Sequence, residues 1–295
     1  MIDFTNCRII PGRAYNGANG SKIAVEYNGE IYMLKFPPSG AKKPTHLSYT
    51  NSCISEHLAS TIFNFLEIKA QETILGTFTV RNKIKTVCAC KDFTTNGKRL
   101  FDFCSIKNTI LDSDTGGSGT ELEDVMDTID KQQFVSPSTL REHFWNMFIA
   151  DALLGNFDRH NGNWGFLYDD KTSTTEIAPV FDCGSCLLPQ ADEIVMQKVL
   201  NDENELNARV FQFPTSAIKL SGRKINYYDF ILQTRNKDCN AALKRIVPKI
   251  NMEEITNFID RTDGISDLQK NFYKRYIRAR YELIIQPALD LALAK

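Results

Sequence analysis

Gly155-Asn156-Phe157-Asp158-Arg159-His160-Asn161-Gly162-Asn163, followed by Val180-Phe181-Asp182-Cys183-Gly184, is the part of the chain that decides its fold. The first stretch puts a carboxylate, a cation, an imidazole and a carboxamide into one short loop. Asp158 and Asn163 stand five residues apart, a spacing that in a loop lets both side chains converge on one polar site. Nineteen residues later Asp182 follows an apolar run that reads as a strand, Ile177 to Phe181, and Gly184 backs it. A carboxylate at the end of a buried strand is costly unless a charge answers it. Two carboxylates and an amide oxygen suit a hard, oxygen-seeking cation such as magnesium. Asp158 as a turn cap and Asn163 as a stabiliser of a left-handed residue is the plainer alternative, and the weaker one for all three together.

Toward the amino terminus the chain reads as strands. Ser21 to Tyr27 and Ile31 to Phe36 flank Asn28-Gly29, a preferred two-residue hairpin turn. A helix is predicted from Ser52 to Leu66 on the stripe Ile54, Leu58, Ile62, Phe65 and Leu66. Strand-like runs Thr73 to Val80 and Ile84 to Cys90 come next, so a small antiparallel sheet with one helix on it is expected. Lys35 lies in the apolar run Met33-Leu34-Lys35-Phe36, where its ammonium either reaches solvent or meets an anion. Glu56 sits early on the helix, on a face shared with Ala59 and Phe63. A strand lysine answered by a helix glutamate is how a nucleotide phosphate clamp is held. The Tyr15 to Ser21 loop, with Gly17, Asn19 and Gly20, could cover phosphates with backbone amides, although such a loop also makes plain hairpins.

Beyond the sheet, Asp112 to Thr120 reads as a mobile loop, and the eight acids between 101 and 131 read as a solvated face. Ser136-Pro137-Ser138 opens a long helix to about Leu154, closed by Gly155. A second short strand is expected from Trp164 to Tyr168, then helices to the end of the sequence. The expected architecture is α+β and bilobal, with a sheet lobe at 1–93, a hinge near 91–100 and a helical lobe at 94–295 that together form a cleft.

The pattern Asp-Arg-His-x-x-Asn with a later Asp-x-Gly resembles the catalytic and metal-binding loops of the protein-kinase-like fold. With arginine and histidine after the aspartate, it is most similar to the HipA-like bacterial kinases and to the phosphatidylinositol kinase superfamily. The length and the residues around Asp158 are closest to the short HipA-like serine/threonine kinases. The resemblance implies that Asp158 accepts the proton of the attacking hydroxyl and that Asn163 and Asp182 hold Mg2+ on the phosphates of ATP. It implies that Lys35, steadied by Glu56, contacts the α- and β-phosphates. His160 would contact the terminal phosphate or brace the loop, and Asp151 or His160 would stand in should Asp158 not be the base. The backbone of Val87 to Phe93, including Cys88 and Cys90, would read adenine, and Ser21 is the nearest candidate for an autophosphorylated serine. Cysteine in Asp182-Cys183-Gly184 stands where phenylalanine is commoner, which leaves metal binding intact. The extra amino-terminal region of the long HipA toxins has no room here, so their antitoxin and DNA assembly is not expected.

Composition narrows the class further. The chain has 295 residues, 42% of them hydrophobic, with 35 basic against 36 acidic side chains and a formal charge of -1. Such a balance gives no long-range pull toward nucleic acid or an anionic membrane. No window is long enough for a membrane span, and the start lacks a secretory pattern. Eight scattered cysteines suit a reducing, cytoplasmic setting, and Cys183-Gly184-Ser185-Cys186 reads as structural thiols ahead of a zinc or redox site. Lys274, Arg275, Arg278 and Arg280 read as a solvated helix face ahead of a docking site for an acidic partner. The expected function is protein kinase activity on serine or threonine. A lipid or small-molecule kinase and an inactive pseudokinase are the alternatives.

Overall fold

The computed structural model describes residues 1–13, 15, 21–38, 49–111 and 116–295. Six strands form one sheet: β1 (Ile2–Asp3), β2 (Arg8–Ile9), β3 (Lys22–Tyr27), β4 (Glu30–Lys35), β5 (Thr73–Val80) and β6 (Lys83–Lys91), in the order β1-β5-β6-β4-β3-β2. The turn between β3 and β4 has Asn28 and Gly29 both at positive φ, 51° and 78°, as the hairpin reading requires. The sheet is mixed, where an antiparallel one was expected, because β1 runs parallel to β5 with Ile2 opposite Gly76. A two-residue strand carries no periodicity for a sequence pattern to reveal.

Alternation along the strands sorts two faces. Tyr32, Leu34, Val87 and Ala89 pack with Phe4, Val25 and Phe36 on the outer face. Cys88 and Cys90 join the main core on the other face, where Met33 also packs. Helix α1 (Ser52–Phe65) covers that face with Cys53, Ile54, Leu58, Ala59, Ile62 and Phe63, and also buries Glu56. Lys35 alternates with Leu34 and so lies on the face that α1 covers, within reach of Glu56.

Three further strands, β7 (Lys98–Asp102), β8 (Gly165–Asp169) and β9 (Thr174–Ile177), make a small second sheet in the order β7-β8-β9. The strand expected at Ile177 to Phe181 lies earlier, at β9. Pro179 has no N–H for a ladder, and past it Val180 makes a single parallel bridge to Ala70. Around these strands lie α2 (Phe103–Leu111), α3 (Leu122–Lys131) and α4 (Pro137–Leu154). Pro137 opens α4, and Gly155 closes it at φ 64° with its N–H on the Asp151 carbonyl. A side chain at Gly155 would collide with the Tyr276 hydroxyl, so glycine is required there for space as well as for φ.

The remaining elements are α5 (Glu193–Asn201), α6 (Glu203–Asn207), a hairpin β10 (Lys219–Leu220) and β11 (Arg223–Lys224), α7 (Tyr227–Leu232), α8 (Lys237–Ile246), α9 (Met252–Arg261), α10 (Asp267–Arg280) and α11 (Gln286–Leu293). Two expectations change here. Gly116 to Thr120 is held, with the Gly119 carbonyl accepting from the buried Lys107 ammonium at 2.8 Å; residues 112–115 lie outside the described set. Arg280 is buried, where a solvated face was expected: its guanidinium donates to the carbonyls of Ala152, Arg209 and Val210 and lies over the Tyr227 and Tyr276 rings. Lys274 and Arg275 do lie at the surface, paired with Asp260 and Glu203.

Candidate active site

A cavity of about 660 Å³ separates the inner face of the large sheet from the loop after α4. That is ample for a nucleotide-sized ligand. Lys35, Glu56, Asp158, His160, Asn163 and Asp182 all line it, although 147 residues separate Lys35 from Asp182.

Lys35 sits at the centre. Its Nζ lies 2.9 Å from Asp182 Oδ1 and 2.9 Å from Glu56 Oε2. Burial alone would push the ammonium down, but the charges of Asp182 and Glu56 outweigh it and hold Lys35 well above the usual lysine value. The same pairing pulls Asp182 down to about 2, with Lys35 as the main cause. Asp182 itself has φ 56°, which swings the chain sharply out of the Val180 segment. Gly184 completes that turn: a Cβ there would come within 3.1 Å of Glu56 Oε2, so the Asp-x-Gly glycine gives the glutamate room.

The loop that carries Asp158, His160 and Asn163 lines this cavity. Asn156 Oδ1 accepts the Asp158 N–H at 3.0 Å, and Asn163 Nδ2 donates to the Asp158 carbonyl at 2.8 Å, so the loop is tied across itself. The Asn163 amide nitrogen is thereby committed, leaving its oxygen for the cavity. Burial raises the Asp158 carboxyl above the usual aspartate value; His160 opposes the rise and Asp182 adds to it. His160 Nδ1 accepts the Gly162 N–H at 3.0 Å, which braces the turn.

Arg159 and Asp151 play parts that sequence alone did not reveal. Both are buried, and the guanidinium reaches Asp151 Oδ2 at 3.0 Å and Oδ1 at 3.2 Å. Arg159 also donates to the carbonyls of Asn163 at 3.0 Å and Phe181 at 2.6 Å, and to Cys183 Sγ at 3.4 Å. One side chain therefore links the end of α4, the Asn163 turn and the residue before Asp182. Asp151, engaged in this way, is not a substitute for Asp158, because its oxygens face the arginine and Asn156 Nδ2.

Other expectations are displaced. Cys88 and Cys90 do not line the cavity: their side chains point into the α1 core, and their strand is laddered on both sides, to β4 and β5. Asp92, Phe93 and Thr94 line it instead, just past the end of β6. Ser21 is exposed, and its carbonyl accepts from Phe36 N at 3.0 Å; Gly17, Asn19 and Gly20 lie outside the described residues. A second network was not foreseen: Asp92 accepts from Arg13 Nε at 2.5 Å and from the Tyr15 hydroxyl at 2.6 Å, linking the entry of the 16–20 segment to the strand exit. Lys22, directly opposite Lys35 in register, also lines the cavity; only the strand pairing reveals it.

Among the described residues, no cluster of three His, Cys, Asp or Glu side chains could by itself hold a metal. One carboxylate with one carboxamide oxygen nevertheless suits Mg2+, which keeps several waters and shares substrate phosphates. No helix among the described residues is long and apolar enough to cross a membrane.

A sheet lobe and a helical lobe around a lysine, a glutamate and two aspartates define a bilobal kinase-like phosphotransferase. Residues 16–255 match the family of HipA-like C-terminal domains, and the chain belongs to it. The chain is 52% identical to the serine/threonine-protein kinase CtkA of Helicobacter pylori strain J99, over 99% of this chain and 89% of that one. The crystal structure of a Helicobacter pylori proinflammatory kinase CtkA matches at a TM-score of 0.93 and 51% identity, covering 99% of this chain and 98% of that chain. HipA of Shewanella oneidensis MR-1, solved in a complex with HipB and operator DNA, shares the fold at a TM-score of 0.56 and 14% identity, over 97% of this chain and 70% of that chain.

Proposed function

We propose that the protein transfers the γ-phosphoryl group of ATP, with Mg2+, to serine or threonine hydroxyls of proteins. The observation that carries this reading is the convergence on one cavity of Lys35, paired at 2.9 Å with both Glu56 and Asp182, and of the Asp158–Asn163 loop. The 52% identity to a serine/threonine-protein kinase supports the acceptor class.

In this reading residues 1–93 hold the nucleotide and 94–295 bring the acceptor. Lys35, kept charged by its two carboxylates, contacts the α- and β-phosphates, and Glu56 fixes its direction. The 16–20 segment with Gly17, Asn19 and Gly20 covers the phosphates, while the backbone at 92–94 reads adenine. Asn163 Oδ1 and Asp182 would hold Mg2+, which neutralises charge on the phosphates when bound. Asp158, its backbone fixed by Asn156 and Asn163, orients the hydroxyl and takes its proton; a carboxyl raised by burial is the better base for that task. His160 braces this loop. Positioning and charge neutralisation supply most of the acceleration. Autophosphorylation, with Ser21 as candidate, and a cytoplasmic setting complete the reading.

Incubation of the full chain with labelled ATP and Mg2+, followed by mass spectrometry, tests it. Phosphoserine or phosphothreonine on the protein or on an added protein mixture is expected. Label on lipid or small-molecule acceptors alone would overturn the assignment.

A further inference from the structure

We infer that the acceptor side of this site is built for an acidic protein segment, recruited by cations on the β10–β11 hairpin, which is tied to the loop that carries Asp158. The inference rests on the kinase reading above and names the substrate class of the same site.

The hairpin holds an unusual set of charges. Lys219 lies directly opposite Lys224, and Leu220 opposite Arg223. Like charges facing each other across a strand pair destabilise it. Arg223 and Lys224 are exposed, and among the described residues none of the three cations has a carboxylate within ion-pair distance. Lys219 and Lys224 thus form a repelling basic pair on this hairpin. An anionic ligand arriving from outside relieves that repulsion.

The place is next to the chemistry and is firmly held. Lys219 N donates to Thr120 O at 2.8 Å, and Gly222 N donates to the Glu121 carboxylate at 3.1 Å. Thr120 Oγ1 donates to Ala217 O at 2.7 Å. Three residues upstream the same segment is tied to the catalytic loop: Asn161 Nδ2 donates to the carbonyls of Gly117 and Gly119 at 2.9 and 2.8 Å. The hairpin is therefore coupled through two short links to the loop that carries Asp158.

Beside Asp158 stands a row of rings. Phe157, its neighbour in sequence, lies 6.0 Å from Tyr49 and 5.5 Å from Phe213, and Phe213 is 40% exposed. A segment crossing the base thus meets cations from the hairpin and aromatic surface from the row. Two aspartates and the triphosphate would repel carboxylates near the acceptor hydroxyl, and the hairpin supplies the opposing charge. Exposed cations of this kind govern encounter and selection more than holding strength.

The test uses the full-length protein with Mg2+ and ATP on serine and threonine peptides whose flanking residues are acidic, neutral or basic. Wild type is expected to favour acidic over basic flanks by about tenfold in kcat/KM, an advantage that shrinks at high salt. The double variant Arg223→Glu/Lys224→Glu, on an exposed hairpin, should reverse that ranking with the KM for ATP unchanged. If wild type shows no acidic preference, or the double variant keeps the wild-type ranking, the inference fails and the kinase reading stands. If wild type phosphorylates no serine or threonine in any peptide or protein, the kinase reading itself fails and carries this one with it.

Discussion

Replacing Asp151 by asparagine should cost the protein much of its stability. The carboxylate is buried and accepts from Arg159 Nε at 3.0 Å, Arg159 Nη2 at 3.2 Å and Asn156 Nδ2 at 2.8 Å. Asparagine keeps one acceptor oxygen but turns an N–H toward a guanidinium that has no solvent to fall back on. Removing one partner of a buried ion pair costs about 3–5 kcal/mol, because the other charge is left unanswered. The retained oxygen places Asp151→Asn near the lower end, about 3 kcal/mol, and Asp151→Ala near the upper. Total stability is roughly 5–15 kcal/mol, so the loss is a large share. At about 2 °C per kcal/mol for a chain of this size, the asparagine variant should melt roughly 6 °C lower, as read by circular dichroism at neutral pH. Arg159 also fixes the carbonyls of Asn163 and Phe181, so the Mg2+ concentration for half-maximal transfer should rise as well. A variant melting within about 1 °C of wild type, with unchanged Mg2+ dependence, would refute the argument that this arginine needs its carboxylate.

His57 and His143 are each held neutral by burial, at about 4. Their folded values lie below the unfolded histidine value, so their contribution is complete above about pH 6.5 and is lost as pH falls toward 4, on the order of 3 kcal/mol each. Urea titrations at intervals between those pH values should show that loss, and His57→Gln should remove about half of it. Arg280→Leu strands the carbonyls of Ala152, Arg209 and Val210 and should cost at least about 3 kcal/mol in the same assay, whereas exposed Arg278→Leu should change stability by less than about 0.5 kcal/mol. Gly184→Ala presses on Glu56 and should slow transfer about tenfold, equivalent to about 1.4 kcal/mol on the barrier, with little change in melting; an unchanged rate would show that Glu56 yields without disturbing Lys35.

Local signals made much of this molecule legible. Asn28-Gly29 turns where its φ preference demands, Thr73 to Val80 is a strand along its whole length, and Gly155 closes α4. Asp158, Asn163 and Asp182 could be found because their types and spacing are informative within a short window. What escaped depends on distant chain. Arg280 reads as surface until Ala152, 128 residues away, offers its carbonyl. Lys22 joins the cavity through its register with Lys35, which no window of sequence contains. The family resemblance puts Val87 to Phe93, with Cys88 and Cys90, at the adenine edge. Strand alternation sends both into the core, and the cavity begins at Asp92. Beyond the expected helix stripe, α1 buries Glu56, which makes sense only once Lys35 is seen facing it.

The central assignment is a division of labour between Asp158 and Asp182, which line one cavity. Its most direct test is phosphoryl transfer from labelled ATP, measured beside calorimetric binding of Mg2+ with ATP, for Asp158→Asn and Asp182→Asn. Asp158→Asn should lose about two to four orders of magnitude in transfer while binding nucleotide nearly as wild type does. Asp182→Asn should lose transfer and Mg2+-dependent binding together, because it removes the carboxylate expected to hold the ion and now held by Lys35. Near wild-type transfer by Asp158→Asn would contradict the central assignment, whatever the nucleotide affinity.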